Sequence, residues 1–287
     1  MTTLSDLVFE ARIAARSVAD YVTGNGLRLG VTGLSRAGKT VFITALVQAL
    51  TGRGARLPVF RASAEGRLTR GVLQPQPDDA VPRFAVEDHL ASLTVERRWP
   101  ESTRRISELR ITVDYERKAG WRSGPASLTL DIVDYPGEWL LDLPLLGKSY
   151  AQWSRETLEA SAAAARAPLA AEWRGYAANL GEDAPASEDV ARRCADLFTR
   201  YLRASRTELY ALSTLPPGRF LMPGDLEGSP ALTFAPLPGA AKPGSLAAMM
   251  ERRYESYKAH VVKPFFRDHF ARLDRQIVLV DALAALN

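Results

Sequence analysis

The feature that constrains this chain most is the pattern Gly-x4-Gly-Lys-Thr at residues 33–40. Gly33 and Gly38 permit backbone angles and close approaches that a Cβ atom would block. The amide groups between them can point inward, and a helix N-terminus adds a dipole that favours an anion. Lys39 would place a positive charge against the β- and γ-phosphates, and the Thr40 hydroxyl is suited to bind Mg2+. The pattern is typical of a phosphate-binding P-loop.

The flanking residues supply the strand and the helix that a P-loop requires. Residues 27–32 (LRLGVT) predict a short strand, and residues 40–50 (TVFITALVQAL) have helical periodicity. A glycine-rich turn with an incidental lysine is the alternative, and these neighbours argue against it. We therefore predict an α/β fold of the P-loop nucleoside-triphosphatase class. The residues expected to bind the nucleotide phosphates are Gly33, Ser35, Arg36, Ala37, Gly38, Lys39, Thr40 and Val41.

An acidic residue should hold the Mg2+ hydration shell from the end of a neighbouring strand. Asp134 ends the apolar run SLTLDIV, and Asp134-Tyr-Pro-Gly137 matches the Asp-x-x-Gly element of GTPases. In that element the glycine N–H senses the γ-phosphate, so Gly137 is a candidate catalytic residue. The alternative for Asp134 is an ordinary turn cap. Asp131, three residues earlier on the strand, should face the opposite side.

Two further residues complete the predicted site. Thr103, just ahead of a predicted strand, is the candidate for a second Mg2+ hydroxyl, with Ser102 as its competitor and a helix cap as the alternative role. Glu138 follows Gly137, where small GTPases usually have a water-orienting glutamine. It is either a catalytic base or the partner of an arginine with no chemical role, and both hypotheses stay open. Slow turnover is the prediction.

The remaining chain divides by composition. Residues 106–116 and 127–133 alternate as strands and predict a hairpin, whereas residues 52–100 have little periodicity and predict loop. A helix over residues 4–22, helices within 148–210 and 246–273 interrupted near Pro264, and a buried strand at 276–283 are also predicted. The predicted domains are an N-terminal helix (1–24), the first part of a P-loop domain (25–147), a mainly helical insertion (148–274) and a return strand (275–287).

Composition narrows the class of protein. The chain has 287 residues, 37 Lys+Arg against 33 Asp+Glu, and one cysteine, Cys194. A single cysteine excludes an intrachain disulfide and favours a reducing compartment. The mildly basic charge is compatible with an anionic ligand, and we expect no direct nucleic-acid partner. No apolar run has the ~18 residues that span a bilayer, and the N-terminus does not resemble a signal peptide, so a cytoplasmic location is predicted.

Four stretches resemble the YcjX-like family of bacterial P-loop GTPases. They are residues 33–44 (GLSRAGKTVFIT), 131–146 (DIVDYPGEWLLDLPLL), 217–226 (PGRFLMPGDL) and 262–270 (VKPFFRDHF). The resemblance implies a stress-associated GTPase with a Ras-like core, a mixed sheet flanked by helices, and a helical domain inserted between the third and fourth core strands. GTP or GDP and Mg2+ are the implied cofactors. The family also implies an inner-membrane protein partner and a peripheral location at that membrane.

One element of the family pattern is missing from this chain. The guanine-reading Thr-Lys-x-Asp of the family does not occur in these residues, and the chain ends at Asn287. We therefore expect a fragment, in which base specificity is carried by the resemblance alone.

Three functions follow as hypotheses. The first is Mg2+-dependent binding and slow hydrolysis of GTP as a stress-response switch. The second is a nucleotide-gated scaffold with little or no hydrolysis, which Glu138 in place of glutamine favours. The third is a P-loop ATPase or small-molecule kinase, against which the hairpin before Asp134 and the Asp-x-x-Gly placement argue.

Overall fold

The fold is described from a computed structural model, which covers residues 26–34, 36–52, 57, 60–76, 78–100, 104–118, 123–181, 183–206 and 215–282. The chain divides into two compact units. We call residues 1–136 with 272–279 the sheet unit, and residues 137–271 with 280–287 the helical unit. The predicted helix over residues 4–22 lies outside the described residues.

Among the described residues, the sheet unit contains a five-stranded mixed sheet in the order β2-β3-β4-β1-β5. The pairs β2–β3 and β3–β4 are antiparallel, whereas β1 is parallel to both β4 and β5. Its strands are β1 Gly26–Thr32, β2 Leu68–Gln74, β3 Ser107–Arg117, β4 Gly124–Asp134 and β5 Arg275–Val278, and its helices are α1 Lys39–Thr51, α2 Arg61–Ala64 and α3 Val86–Thr94.

Aliphatic side chains hold α1 against the sheet. Alternate residues of β1, β3 and β4 point to one face, as the period of two in a strand requires. Ile43 and Val47 of α1 pack among them, and the shared cluster also includes Val31, Ile111 and Ile132. This packing fixes the helix that begins at the predicted P-loop. The predicted hairpin of β3 and β4 is confirmed.

The prediction of mostly loop over residues 52–100 missed one strand and two short helices. This stretch contains β2, α2 and α3. β2 (LTRGVLQ) has a weak apolar pattern, and it becomes a strand because β3 offers it an antiparallel ladder. Gly71 belongs to that arrangement, since a Cβ there would lie 1.9 Å from the Leu50 carbonyl oxygen at the end of α1. Such a contact between distant residues has no signature in local periodicity.

The predicted buried strand at 276–283 is shorter and more exposed than expected. β5 ends at Val278, and only Ile277 of its four residues is partly buried while the others are exposed. In the described sheet β5 pairs with β1 alone and stands at the edge. An apolar run therefore identified the strand, but its place at the edge left the side chains accessible.

In the part of the chain that the structure describes, the helical unit contains five α-helices and several short turns. A 3-10 segment at Gly137–Gly147 opens it, and Ser149 and Ser245 cap two of the helices by accepting from the amides of Gln152 and Ala248, each at 3.2 Å. The helices are α4 Tyr150–Ser161, α5 Ala167–Ala178, α6 Glu188–Ala204, α7 Leu246–Tyr257 and α8 Lys263–Asp268, with 3-10 turns at Gly218–Phe220, Gly224–Leu226, Pro230–Leu232 and Phe270–Arg272.

The predicted interruption near Pro264 takes the form of a π-helical turn. Residues Lys258–Val262 are π-helical between α7 and α8. Pro264 has no backbone N–H to donate one turn back, so the preceding carbonyl groups must find other partners. None of the helices in the described ranges is both long enough and apolar enough to cross a membrane.

Candidate functional site

The candidate site begins where β1 ends. β1 lies between β4 and β5, and its last five residues are buried. Gly33 follows with φ 154°, and a Cβ there would lie 2.4 Å from the carbonyl oxygen of Leu279. The Leu279 amide donates to the Thr32 carbonyl at 2.8 Å. The segment after β5 therefore passes so close to the loop that residue 33 must be glycine.

The loop then turns into α1 through left-handed backbone conformations. Arg36 has φ 70° and Gly38 has φ 85°. Between them, the Ala37 amide donates to the Leu34 carbonyl at 3.1 Å. Gly38 is the N-cap of α1 and has no side chain with which to cap the helix. The first amide groups of α1 are thus suited to bind an anion, as predicted.

Lys39 lies over the loop. Its side chain is only 5% exposed, and Nζ donates to the Gly33 carbonyl at 2.7 Å and reaches the Leu34 carbonyl at 3.5 Å. These carbonyl groups belong to the first two residues of the P-loop. The ammonium group is therefore held beside the loop amides, where it can exchange a carbonyl oxygen for a phosphate oxygen.

Thr40 and Asp134 provide the oxygen ligands that a magnesium ion prefers. β4 is parallel to β1, with Asp134 in register with Val31, so the carboxyl ends of both strands lie at one edge of the sheet. Asp134 is 2% exposed and Thr40 is also buried. Hydroxyl and carboxylate oxygens fit Mg2+, which keeps several waters and substrate phosphates as its other ligands. Within the described ranges, no group of three or more His, Cys, Asp or Glu side chains could hold a metal alone.

Asp131 has a different role, in keeping with the prediction that it faces away from Asp134. Its two carboxylate oxygens accept from Nε and Nη2 of Arg110 at 2.5 and 2.6 Å. Register places Arg110 of β3 opposite Asp131 of β4. The pair joins adjacent strands and leaves Asp134 as the carboxylate at the strand end.

Tyr135, which the sequence did not single out, joins two strands near the site. It is fully buried, and its hydroxyl accepts from Nε2 of Gln276 in β5 at 2.6 Å. Burial raises the pKa of Tyr135 to about 12, so it stays protonated at neutral pH. The residue after Asp134 therefore has a structural role.

Gly137 and Glu138 both belong to the helical unit and are buried there. Glu138 is 1% exposed, and its Oε1 lies 3.4 Å from Nη1 of Arg206. The sequence leaves two hypotheses for Glu138 open, a catalytic base and the partner of an arginine. In the structure, Glu138 is the partner of Arg206. A close contact secures the backbone as well, since a Cβ on Gly218 would lie 1.7 Å from the Glu138 carbonyl oxygen.

A buried carboxylate at Asp142 also went unrecognised in the sequence. It accepts hydrogen bonds from Gly218, Arg219 and Tyr257. The available signal was an aspartate within the apolar run WLLDLPLL, a position where a charge needs partners.

Of the predicted site residues, Ser35 and Thr103 lie outside the described residues. The sheet unit brings Gly33, Gly38, Lys39, Thr40 and Asp134 to one edge of its sheet.

Comparison with known proteins adds independent findings. The model of the YcjX-like family, DUF463, matches residues 27–287. A protein of Escherichia coli (strain K12) named Ras-like GTPase YcjX is 41% identical over 277 residues, which cover 91% of this chain and 59% of that protein. A protein of the same name from Shewanella oneidensis is 40% identical over 297 residues, covering 95% of this chain and 61% of its own length. The chain thus spans about three fifths of these relatives.

Proposed function

The chain belongs to the YcjX-like family, and from this premise we propose that it binds GTP or GDP with Mg2+, hydrolyses GTP slowly, and acts as a switch in bacterial stress response. The observation that carries the proposal is the strand-loop-helix at Gly33–Thr40. Its glycine conformations, its buried lysine and the neighbouring Asp134 suit a nucleoside triphosphate. The names of the two relatives, both Ras-like GTPases, support guanine as the base.

Each residue of the loop has a distinct role in the proposal. The amides from Ser35 to Val41 surround the phosphate oxygens, and Lys39 neutralises the β- and γ-phosphates. Thr40 and Asp134 hold Mg2+, which when bound screens the charge of the triphosphate. Gly137 senses the γ-phosphate, and Thr103 is proposed as the second hydroxyl near the metal.

The proposed architecture is a Ras-like P-loop core with a large helical insertion. The parallel pair β1–β4, the antiparallel partner β3 and the parallel β5 support the core. Residues 137–271 of the helical unit follow β4 in the chain and precede β5, and this order supports an insertion. The proposed limits are 25–147 and 275–287 for the core and 148–274 for the insertion.

The proposed partners follow from the family rather than from the site. We propose guanine nucleotide as the ligand and an inner-membrane protein as the macromolecular partner, with the protein in the cytoplasm and peripheral to that membrane. Direct binding of nucleic acid is not proposed.

A nucleotide-gated scaffold is the second candidate function, and Glu138 favours it. Glu138 stands where a water-orienting residue is needed, yet it is buried beside Arg206. The Arg206 guanidinium lies 3.4 Å from the carboxylate that would have to orient the attacking water. This arrangement supports either slow hydrolysis or binding without turnover.

Calorimetry on the full-length protein tests the proposal. Titrations with GDP and with non-hydrolysable analogues of GTP and ATP, each with Mg2+, would be followed by phosphate release from the preferred triphosphate. Guanine-selective binding with slow release supports the GTPase. Guanine-selective binding without release supports the scaffold, selective binding of ATP supports an ATPase, and no binding overturns the proposal.

A further inference from the structure

β5 is an edge strand whose place in the sheet is not explained by burial. Of its four residues Ile277 is partly buried, and the other three are exposed. In the described sheet it pairs with β1 alone. Such a strand gains little from apolar contacts, because most of its side chains stay in water. Other contacts therefore have to fix the register of β5 on β1.

Hydrogen bonds fix both ends of β5 on β1. Before the strand, the Arg28 amide donates to Oδ2 of Asp274 at 2.7 Å, and the Asp274 amide donates to the Arg28 carbonyl at 2.9 Å. After the strand, the Leu279 amide donates to the Thr32 carbonyl at 2.8 Å. Because both ends are held, the residues between them have fixed positions relative to β1.

Gln276 reaches from this fixed strand across β1. Its row of the sheet contains Gly30 of β1 and Val133 of β4. Gly30 has no side chain to stand in the way. On the far side of β1, Nε2 of Gln276 donates to the Tyr135 hydroxyl at 2.6 Å. An exposed residue of the edge strand thus contacts a fully buried residue that directly follows β4.

The hydrogen bond to Tyr135 bears on the carboxylate beside it. A buried hydroxyl is costly to leave without a partner, and the direction of its hydrogen bonds limits where the residue can lie. Tyr135 directly follows Asp134, so a fixed Tyr135 also fixes the backbone that carries the Asp134 carboxylate. Groups that orient a metal ligand from outside the coordination shell commonly tune the affinity for the metal.

We propose that Gln276 is a positioning residue for Mg2+-dependent binding of the nucleoside triphosphate, because its hydrogen bond to Tyr135 holds the strand end that carries Asp134. The inference rests on the proposed function and deepens it. All of these residues belong to the sheet unit. The P-loop meets the return segment elsewhere, where the Leu279 carbonyl lies against Gly33. Loss of the Gln276 hydrogen bond should therefore weaken the metal side of the site and leave the P-loop intact.

The test removes the hydrogen bond from each side in turn. Gln276→Leu deletes the donor, Tyr135→Phe deletes the acceptor, and the double variant completes a cycle. Gln74→Leu is the matched control, because it makes the same change at the end of β2, the opposite edge strand. Calorimetry on the full-length proteins would give the affinity for a non-hydrolysable GTP analogue over a series of Mg2+ concentrations, and the affinity for GDP without Mg2+.

The expected result is a changed requirement for Mg2+. Each single variant should raise the Mg2+ concentration for half-maximal binding of the analogue about three- to tenfold, the effect of one lost hydrogen bond. The double variant should raise it no further, since both changes remove the same hydrogen bond. GDP affinity without Mg2+ should stay unchanged, and the control should match the wild type.

A purely structural role for Gln276 predicts a different result. The single variants would then unfold at a lower urea concentration with an unchanged Mg2+ requirement, and that outcome overturns the inference. Equal losses of affinity for the analogue and for Mg2+-free GDP, or additive effects in the double variant, also overturn it. If Tyr135→Phe fails to fold, Gln276→Leu decides, because Gln276 is exposed.

Failure of the inference and failure of the proposed function can be told apart. Wild-type protein that binds neither nucleotide overturns the proposed function and the inference with it. Wild-type protein that binds the analogue equally well without Mg2+ overturns the metal role of Asp134 and the inference, while nucleotide binding stands. Mg2+-dependent binding by the wild type, with unchanged Mg2+ requirements in the variants, overturns the inference alone.

Discussion

The sheet unit and the helical unit have cores built from different kinds of side chain. The core cluster of the sheet unit is mostly aliphatic, and among the described residues of that unit Phe84, within the cluster, and Tyr135 are buried rings. The core of the helical unit is dominated by rings: Tyr150, Trp153, Trp173, Phe198, Tyr201, Phe220, Phe234, Tyr254 and Tyr257. Several are paired at ring distances near 5 Å, including Trp153 stacked on Tyr254 at 5.1 Å.

Buried charge differs in the same way. In the sheet unit, Arg28 pairs with Glu108, and Arg110 pairs with Asp131. Glu108 of β3 meets Arg28 of β1, which lies two strands away, and Asp131 of β4 meets Arg110 of the adjacent β3. In the helical unit, Asp142 meets two amides and a hydroxyl. The comparison teaches that the cross-strand pairs of the sheet unit join opposite charges, whereas the 3-10 segment holds Glu138 beside Arg206 and Asp142 among neutral donors.

The largest expected effect on function is on ligand binding by the sheet unit. Lys39→Ala should weaken nucleotide affinity by about 100-fold, because a charge-assisted contact to phosphate is lost. Calorimetry measures the affinity, and circular dichroism should report an unchanged fold. Lys118→Ala is the control, since that side chain is exposed near the end of β3. Unchanged affinity in Lys39→Ala would refute the role of the P-loop.

Truncating a ring should test whether aromatic packing dominates the helical unit. Trp153→Ala should lower the free energy of unfolding by about 3–5 kcal/mol, whereas Ile111→Val in the sheet core should lower it by about 0.5–1.5 kcal/mol. Urea unfolding followed by circular dichroism gives both values. Trp153→Phe, which keeps a ring, should fall between them. Equal losses in Trp153→Ala and Ile111→Val would contradict the expectation that ring packing contributes most to the stability of the helical unit.

Glycine substitutions should have opposite signs within the helical unit. Gly218→Ala should destabilise the protein by about 1–3 kcal/mol, since its Cβ would lie 1.7 Å from the Glu138 carbonyl oxygen. Gly175→Ala should stabilise it by about 0.5–1 kcal/mol, because the position is in the interior of α5 with nothing within 4 Å of the added Cβ. Gly71→Ala, against the Leu50 carbonyl, is the counterpart in the sheet unit. A stable Gly218→Ala variant would contradict the close packing of the turn.

A further small effect is expected in the pH dependence of stability. Burial raises the pKa of Asp142 to about 6, although the Tyr257 hydroxyl, the two amides and the Arg219 charge act against the shift. The folded state therefore binds a proton more tightly than the unfolded state, so stability rises as pH falls through about 6. From pH 7 to pH 5 we expect Asp142 to add about 1 kcal/mol to the free energy of unfolding.

Two variants separate this effect from others in the same pH range. Asp142→Asn should remove the gain in urea unfolding between pH 7 and pH 5. Burial also raises the pKa of Glu108 in the sheet unit, so Glu108→Gln measures that contribution. Glu65 and Glu87, whose pKa values are lowered to about 2 by arginine partners, affect stability at lower pH. A gain that persists in Asp142→Asn would contradict the assignment.

Much of this structure was readable from residues that are neighbours in the chain. The P-loop, the strand before it, the helix after it and the hairpin ending at Asp134 all have local signatures, namely glycine spacing and apolar periodicity. Family resemblance covered the same stretches, and the match over residues 27–287 bears it out. Each of these features has its signature in residues that follow one another in the chain.

Other features depend on residues that meet only when the chain folds. β2 exists because β3 offers it a ladder, β5 is exposed because it stands at the sheet edge, and Glu138 is paired because Arg206 reaches it. Asp142 finds its donors 76 and 115 residues further along the chain. Local pattern specifies which element forms, whereas partners and burial follow from long-range contacts, and a carboxylate's role depends on which donors those contacts bring to it.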